Sequence, residues 1–219
     1  MKTKARKIAI AGATGMVGQA FLRLLEENFF QDAEIILLAS KKSKGKKVKF
    51  RTKEYIIEDL SEYDFTGTDL ALFSAGASVS AEFAPKAVSQ GCVVVDNSSC
   101  FRYEEDIPLI VPEVNGKLVL DYQLPGIIAN PNCSTIQMLV ALKPIHDAFN
   151  IKRIDVTTLQ AVSGTGKEAT EELLSQLDSY HGSTEQKSDI YAKQIANNVL
   201  PHCDIFEDNR YTKEENKLV

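Results

Sequence analysis

Lys7-Ile-Ala-Ile-Ala11 runs directly into Gly12-Ala-Thr-Gly15-Met-Val-Gly18, and this junction decides the fold. The first stretch is apolar after its lysine and reads as a short strand buried on both faces. Beyond the glycines, Val17, Ala20, Phe21, Leu24 and Leu25 recur at helical spacing. Glycines between a strand and a helix serve a tight turn, close backbone approach to a pyrophosphate, and packing of helix on strand. The helix start adds N–H groups and the positive end of a dipole, which suit phosphate oxygens. In this context the loop predicts a dinucleotide held by Gly12, Thr14, Gly15, Met16, Val17 and Gly18. A glycine turn without a ligand is the alternative.

Working outward, Glu34-Ile-Ile-Leu-Leu-Ala39, Asp69-Leu-Ala-Leu-Phe-Ser74 and Cys92-Val-Val-Val-Asp96 read as further buried strands. Residues 48–65 alternate weakly and suggest short strands. Ser80 to Ser89 reads as a helix with Phe83, Ala84 and Ala87 on one face. Strands alternating with helices predict an α/β fold: a Rossmann-type, doubly wound parallel sheet with helices on both faces. Ser74, at the end of its strand, joins the cofactor-binding set. After Asn130 the pattern changes. Thr135 to Leu142 reads as a buried helix that Lys143-Pro144 ends or kinks. Ile151 to Ala161 reads as a long strand with Ile154, Val156, Thr158 and Gln160 on one face, and Ser163-Gly-Thr-Gly166 as a tight turn. Lys167 to Tyr180 has Ala169, Leu173, Leu174 and Leu177 at helical spacing, and a polar loop follows from His181 to Lys193. Thr212 and Glu215 stand at capping-box spacing at the start of a last helix.

The second strand bears on which dinucleotide binds. Enzymes that use NAD usually place Asp or Glu there for the ribose hydroxyl. Here the strand ends Ala39-Ser40-Lys41-Lys42-Ser43-Lys44, without an acid. Hydroxyl and ammonium groups suit a 2′-phosphate, so Ser40, Lys42 and Ser43 predict NADP. A solvated lysine loop is the alternative.

Bulk properties narrow the class. The chain has 219 residues, 44% of them hydrophobic, enough for a real core, and a net charge of −5 that does not suit nucleic acid. No apolar run approaches the ~20 residues of a membrane span. The basic start leads into a strand, not into the long apolar core of an export signal. Cys92, Cys100, Cys133 and Cys203 show no CxxC spacing. That fits a reducing cytoplasm and predicts neither disulfides nor a metal site.

A free cysteine is usually a core residue. Cys133 departs from that pattern, because Asn130-Pro131-Asn132 puts turn and cap chemistry just ahead of it, at a predicted helix start. A thiol there faces the positive dipole end, which favours the thiolate. A thiolate beside a nicotinamide can attack a carbonyl and hold it while hydride moves.

Five motifs occur in order: Gly12-Ala-Thr-Gly-Met-Val-Gly18, Asp96-Asn-Ser-Ser-Cys-Phe-Arg102, Asn130-Pro-Asn-Cys-Ser-Thr135, Gln160-Ala-Val-Ser-Gly164 and Tyr211-Thr-Lys-Glu-Glu-Asn-Lys217. Together they resemble aspartate-β-semialdehyde dehydrogenase over the whole chain, and the cysteine motif is the most specific of them. The resemblance implies an oxidoreductase of amino-acid biosynthesis, feeding lysine, threonine, methionine and diaminopimelate. It would carry out NADPH-dependent reductive dephosphorylation of L-aspartyl-4-phosphate to the semialdehyde through a Cys133 thioester. It further implies that Gln160 orients the acyl group, that Arg102, Asn132, Ser99 and Lys217 bind phosphate, and that Glu214 holds the substrate amine. Ser163 and Gly164 offer backbone to the nicotinamide. The bland alternatives are a surface ion pair for Arg102, a satisfied core amide for Gln160, an i,i+3 surface pair for Glu214 and Lys217, and a local turn hydroxyl for Ser99.

The implied organisation is an NADP-binding Rossmann domain over residues 1–132. The first part of an α+β catalytic and dimerisation domain then covers residues 133–219. The family runs beyond this length, and its general base is a histidine in the later part, near an arginine for the substrate carboxylate. His146, His181 and His202 do not stand in that histidine's context. The chain alone is therefore expected to be inactive or nearly so, and to leave apolar surface uncovered. Full-length members form homodimers or homotetramers. Two further readings compete: a non-catalytic NADP-binding module, and a reductase of another acyl phosphate such as N-acetylglutamyl phosphate.

Overall fold

The computed structural model describes residues 7–27, 30, 32–179 and 188–219; the basic residues before Lys7, and His181, lie outside them. The chain divides into two compact units, Met1–Ile151 and Lys152–Val219.

In the first unit the elements run β1 (Lys7–Ala11), α1 (Met16–Glu27), β2 (Glu34–Ala39), β3 (Lys47–Phe50), β4 (Lys53–Asp59), β5 (Leu70–Phe73), α2 (Ala77–Ser89), β6 (Val93–Asp96), α3 (Pro112–Asn115), α4 (Leu118–Asp121), β7 (Ile127–Ala129) and α5 (Cys133–Phe149). One sheet has the order β3-β4-β2-β1-β5-β6-β7. All neighbours are parallel except β3 and β4. Counting only the parallel strands, the order is that of the doubly wound dinucleotide fold, with its switch point between β1 and β5. The predicted architecture is therefore borne out.

Strand alternation explains the two-sided core. Ile8, Ile10, Ile35, Leu37 and Ile57 face one cluster with Leu22 and Leu25 of α1. Ala9, Ala11, Leu38, Phe73 and Val94 face the other, with Ala84 and Ala87 of α2. Each fully buried Ile, Leu or Phe contributes roughly 1.5–3 kcal/mol. The inward stripe of α1 differs from the expected one. Gly18, Leu22 and Leu25 are buried, whereas Val17 is 41% and Leu24 58% exposed. The cause is Gly18, which packs so closely on the Gly12 carbonyl that an added Cβ would lie 2.3 Å from its oxygen. That contact turns positions 18, 22 and 25 inward.

Two further differences concern α5. It does not stop at Pro144 but continues to Phe149, and it has no buried residue. The first unit runs to Ile151 and includes α5, which packs on α3 within it.

The second unit contains α6 (Lys167–Ser179) and α7 (Lys213–Asn216). The long strand expected over 151–161 does not form. These residues have no ladder partner among the described residues, and 152–161 are exposed. Alternation alone cannot make a strand without a neighbouring strand to bond. The inward face of α6 also departs from the expected leucines. Ala169 and Gln176 are buried, while Leu174 is 55% exposed. Gln176 Oε1 accepts the N–H groups of Ile195 and Ala196, both at 3.0 Å. This satisfies the buried amide and holds the 194–198 turn on the helix.

Candidate active site

The glycine loop occupies the switch point. Gly12 has φ +89°, and an added Cβ would lie 2.8 Å from the carbonyl carbon of Ser74. Only glycine fits a left-handed backbone pressed against another backbone. The N–H groups of Gly12 and Ala13 both donate to Leu38 O, at 2.9 and 3.1 Å, and Gly15 N–H closes the turn on Gly12 O at 2.9 Å. Gln19, which the motif did not single out, braces the loop through Nε2 to Ala13 O at 2.7 Å. Thr14, Met16 and Val17 are exposed around the first turn of α1. Ser74 Oγ turns back to donate to Ala11 O at 3.3 Å. The bare backbone at Gly12, and the helix start beyond it, make a cradle of the kind a pyrophosphate needs.

At the end of β2, Ser40 and Lys42 are exposed, and Ser43 is half-buried with its N–H on Ser40 O at 2.8 Å. Lys44 pairs with Glu62. An acid does stand nearby, on the neighbouring strand: Asp59 is in register with Ala39. It does not present itself to a ligand. It is 3% exposed, and its Oδ1 accepts from Ser61 Oγ and Ser61 N at 2.7 and 3.0 Å. Those two bonds hold its carboxyl below the usual range.

The ends of β6 and β7 carry the second group. Arg102 is half-buried and is engaged by backbone carbonyls. Its Nε donates to Asn130 O at 3.0 Å and a terminal nitrogen donates to Asn97 O at 3.1 Å. Asn130 Nδ2 also bonds Asn97 Oδ1. The guanidinium thus ties together the two turns that follow β6 and β7. Asn97 and Asn130 lie inside quoted motifs, but nothing in their spacing marks them as partners. Ser99 is exposed.

Asn132 is the N-cap of α5, as expected from its position, but its side chain makes no cap bond. Its Nδ2 donates to Ser134 Oγ at 2.7 Å instead, and its Oδ1 lies 4.0 Å from Cys133 Sγ. Cys133 is the first residue of the helix and is exposed. The other cysteines of this unit contrast with it. Burial pushes the Cys92 thiol up to about 12 and also raises that of Cys100.

In the second unit, Gln160, Glu214 and Lys217 come together. Gln160 is exposed, not inward-facing on a strand, and its Nε2 donates to Glu214 Oε1 at 3.0 Å. Lys217 Nζ donates to Glu214 Oε2 at 3.2 Å and to Asp204 Oδ2 at 3.1 Å. Glu214 is buried, so this is more than a solvated i,i+3 pair. Burial opposes the charge on Asp204. Even so, the Ile205 N–H and the Lys217 ammonium hold its carboxyl below the usual range. The reciprocal capping box is present: Thr212 N–H reaches Glu215 Oε2 at 2.6 Å and Glu215 N–H reaches Thr212 Oγ1 at 3.2 Å. It sets the pitch on which Glu214 and Lys217 share a face. Asp204 was not legible beforehand, since no local pattern links it to Lys217. Ser163 and Gly164 are exposed in a single 3-10 turn, Val162–Gly164. His202 packs its ring on Phe206, with centroids 5.1 Å apart. Among the described residues no group of three or more His, Cys, Asp and Glu is placed to hold a metal ion, and no helix is long and apolar enough to cross a membrane.

Fold and loop together define a Rossmann-type dinucleotide-binding protein with an exposed cysteine at the head of the helix after its last strand. Residues 7–122 match the semialdehyde dehydrogenase NAD-binding domain and residues 142–219 the semialdehyde dehydrogenase dimerisation domain. The chain belongs to the semialdehyde dehydrogenase family, which bears out the resemblance carried by its motifs. It is 58% identical to an aspartate-semialdehyde dehydrogenase of Legionella pneumophila, over 97% of this chain and 61% of that protein. Aspartate semialdehyde dehydrogenase II of Vibrio cholerae, solved in complex with ASA, superposes with a TM-score of 0.94 at 48% identity, covering 99% of this chain and 64% of that one. The Candida albicans enzyme solved with NADP gives a TM-score of 0.58 at 32% identity, covering 73% of this chain and 52% of that one. The chain thus spans less than two thirds of the length of these relatives.

Proposed function

We propose that this chain supplies the cofactor domain and the nucleophile of an NADP-dependent enzyme that converts L-aspartyl-4-phosphate to L-aspartate 4-semialdehyde. Such a reaction serves the biosynthesis of lysine, threonine, methionine and diaminopimelate. The observation that carries this reading is Cys133, exposed at the head of α5 and three residues beyond an asparagine that Arg102 holds. Cys133 Sγ attacks the acyl carbon, the carbon–oxygen bond to phosphate breaks, and the acyl group stays on sulfur as a thioester. Arg102, Ser99, Asn132 and Lys217 bind the departing phosphate. Glu214 takes the substrate ammonium, and Gln160 orients the acyl oxygen. A nicotinamide dinucleotide, when bound, would supply the hydride chemistry that takes the acyl group to the aldehyde level. The residues that would hold it are Gly12, Thr14, Gly15, Met16, Val17, Gly18 and Ser74, with Ser163 and Gly164.

NADP is favoured over NAD because Ser40 and Lys42 are exposed at the end of β2, with Ser43 half-buried beside them, while Asp59 is buried and engaged by Ser61. The Candida albicans relative, solved with NADP, supports the same choice. The whole enzyme works as a homodimer or homotetramer in the cytoplasm. The chain alone takes the acyl group but does not turn over. Within the first unit its only histidine, His146, lies thirteen residues along α5 from Cys133, or about 20 Å at the helical rise. That is too far to serve as its acid or base.

Aspartyl phosphate added to the purified chain should release inorganic phosphate once per chain and leave the acyl mass on Cys133. Cys133→Ala should release none. Acylation by N-acetylglutamyl phosphate in preference would point to the other acyl-phosphate reductase. NADP binding with no acylation by either would point to a non-catalytic module. Sustained turnover by the chain would refute the statement that it lacks its acid–base group.

A further inference from the structure

Asp96 ends β6 fully buried, and its hydrogen-bond partners are two serines. Oδ1 accepts from Ser80 Oγ of α2 at 2.7 Å and from the Ser98 N–H at 3.1 Å. Oδ2 accepts from Ser98 Oγ at 2.6 Å. Ser98 Oγ in turn accepts the N–H of Cys100 at 3.1 Å. Ser80 is itself fully buried and is seated by its N–H on Gly76 O at 3.0 Å. All three of these bonds are donated to the carboxylate.

Sheet stability does not account for this group. A buried carboxylate is costly to desolvate, and apolar residues in its place are often neutral or stabilising. Its placement accounts for it better. By gathering the N–H of Ser98 directly, and that of Cys100 through the Ser98 hydroxyl, Asp96 fastens the turn on both sides of Ser99. Ser99 itself is exposed and makes no hydrogen bond among the described residues. Arg102, at the end of the same turn, is held by the carbonyls of Asn97 and Asn130.

We propose that Asp96 is a positioning residue for anion binding: through Ser80 and Ser98 it anchors the turn that presents Ser99 and Arg102 to a phosphate. This rests on the phosphate role given to those two residues above. The test uses the chain with two readouts, amide hydrogen exchange over residues 97–102 and affinity for inorganic phosphate, with NADP affinity as the internal reference. Asp96→Asn turns an amide donor toward a serine donor, and Ser98→Ala removes the hydroxyl link while keeping the carboxylate.

In both variants the Cys100 amide should exchange faster. Phosphate affinity should fall about tenfold, the scale of one hydrogen bond to a charged group, and NADP affinity should stay within about twofold, well below one such bond. A folded variant with unchanged exchange at Cys100 and unchanged phosphate affinity overturns the proposal. So does a parallel fall in phosphate and NADP affinity, which would mark a merely structural residue. If the unaltered chain binds no phosphate, while the turn still loosens in the variants, the anion-site reading fails and the proposal with it. If the turn loosens but phosphate affinity holds, the proposal alone fails.

Discussion

Replacing Gly12 with alanine isolates the two reasons for glycine in the loop, because other glycines carry those reasons singly. Gly76 has φ +95° with nothing within 4 Å of an added Cβ, so Gly76→Ala tests backbone strain alone. An L-residue in such a region costs about 1–3 kcal/mol, less roughly 0.4–1 kcal/mol regained from the unfolded chain. Gly12 has φ +89° and, in addition, Cβ contacts of 2.8 and 2.9 Å to the Ser74 carbonyl. Both contacts are to backbone, which cannot rotate away, and overpacking of this kind adds about 1–3 kcal/mol. Gly12→Ala should therefore destabilise the first unit by about 2–5 kcal/mol, and by about 1–3 kcal/mol more than Gly76→Ala. Gly18→Ala supplies the contact without the positive φ, at 2.3 Å from Gly12 O, offset by the ~1 kcal/mol that alanine gains in a helix. Urea unfolding of the three variants, with dinucleotide affinity measured in parallel, gives the comparison. If Gly12→Ala were no more destabilising than Gly76→Ala, close approach to β5 would not be what the glycine is for.

The inward register of α1 predicts that Leu22→Ala costs about 2–5 kcal/mol whereas Leu24→Ala stays within about 0.5 kcal/mol. Denaturation midpoints reversed in order would restore the stripe read from periodicity. The Asp204–Lys217 pair predicts two limbs in a stability–pH profile of the second unit. Burial works against the Lys217 charge, but its bonds to Asp204 and Glu214 outweigh burial and raise it above the ordinary 10.5. Its contribution is therefore complete below 10.5 and is lost as pH rises through the higher folded value. Asp204 is held below the ordinary 3.8, so its contribution is complete above 3.8 and is lost as pH falls through the lower folded value. Melting temperatures of the chain and of Lys217→Met, compared across that range, should differ at neutral pH and converge at alkaline pH.

What was legible in advance follows physical range. The glycine loop, the buried strands and the capping box are local patterns, and each appears where it was expected. β7 was missed because three residues between turn-rich segments carry no readable period. The strand over 151–161 was over-read because strand pairing is a property of two segments, and alternation in one does not supply the other. The face of α1 was misjudged because periodicity counts side chains, and a glycine that docks by having none is invisible to it. Among the candidate functional residues, Cys133 and Arg102 in the first unit and Gln160, Glu214 and Lys217 in the second stood in recognisable motifs. Asn97, Asn130, Gln19 and Asp204 act through hydrogen bonds between positions that sequence spacing does not relate. Asp59 was overlooked because the acid beside β2 sits on its neighbour, not on β2 itself.

The two margins of the seven-stranded sheet have a consequence for how the protein behaves at high concentration. On one side β3 is four residues long, antiparallel to its neighbour, and carries exposed Lys47 and Lys49. The turn beyond it is pinned by Arg51 to the carbonyls of Leu25 and Phe30, at 3.0 and 3.3 Å. On the other side β7 is only three residues long. Pro108 O takes the Ala129 N–H, and Ala129 O takes the Ile110 N–H, both at 3.0 Å. A short cationic margin and a bonded one both discourage a foreign strand from extending the ladder. Fibril-like growth through this sheet is accordingly disfavoured at both margins, even though its central strands are among the most apolar stretches of the chain.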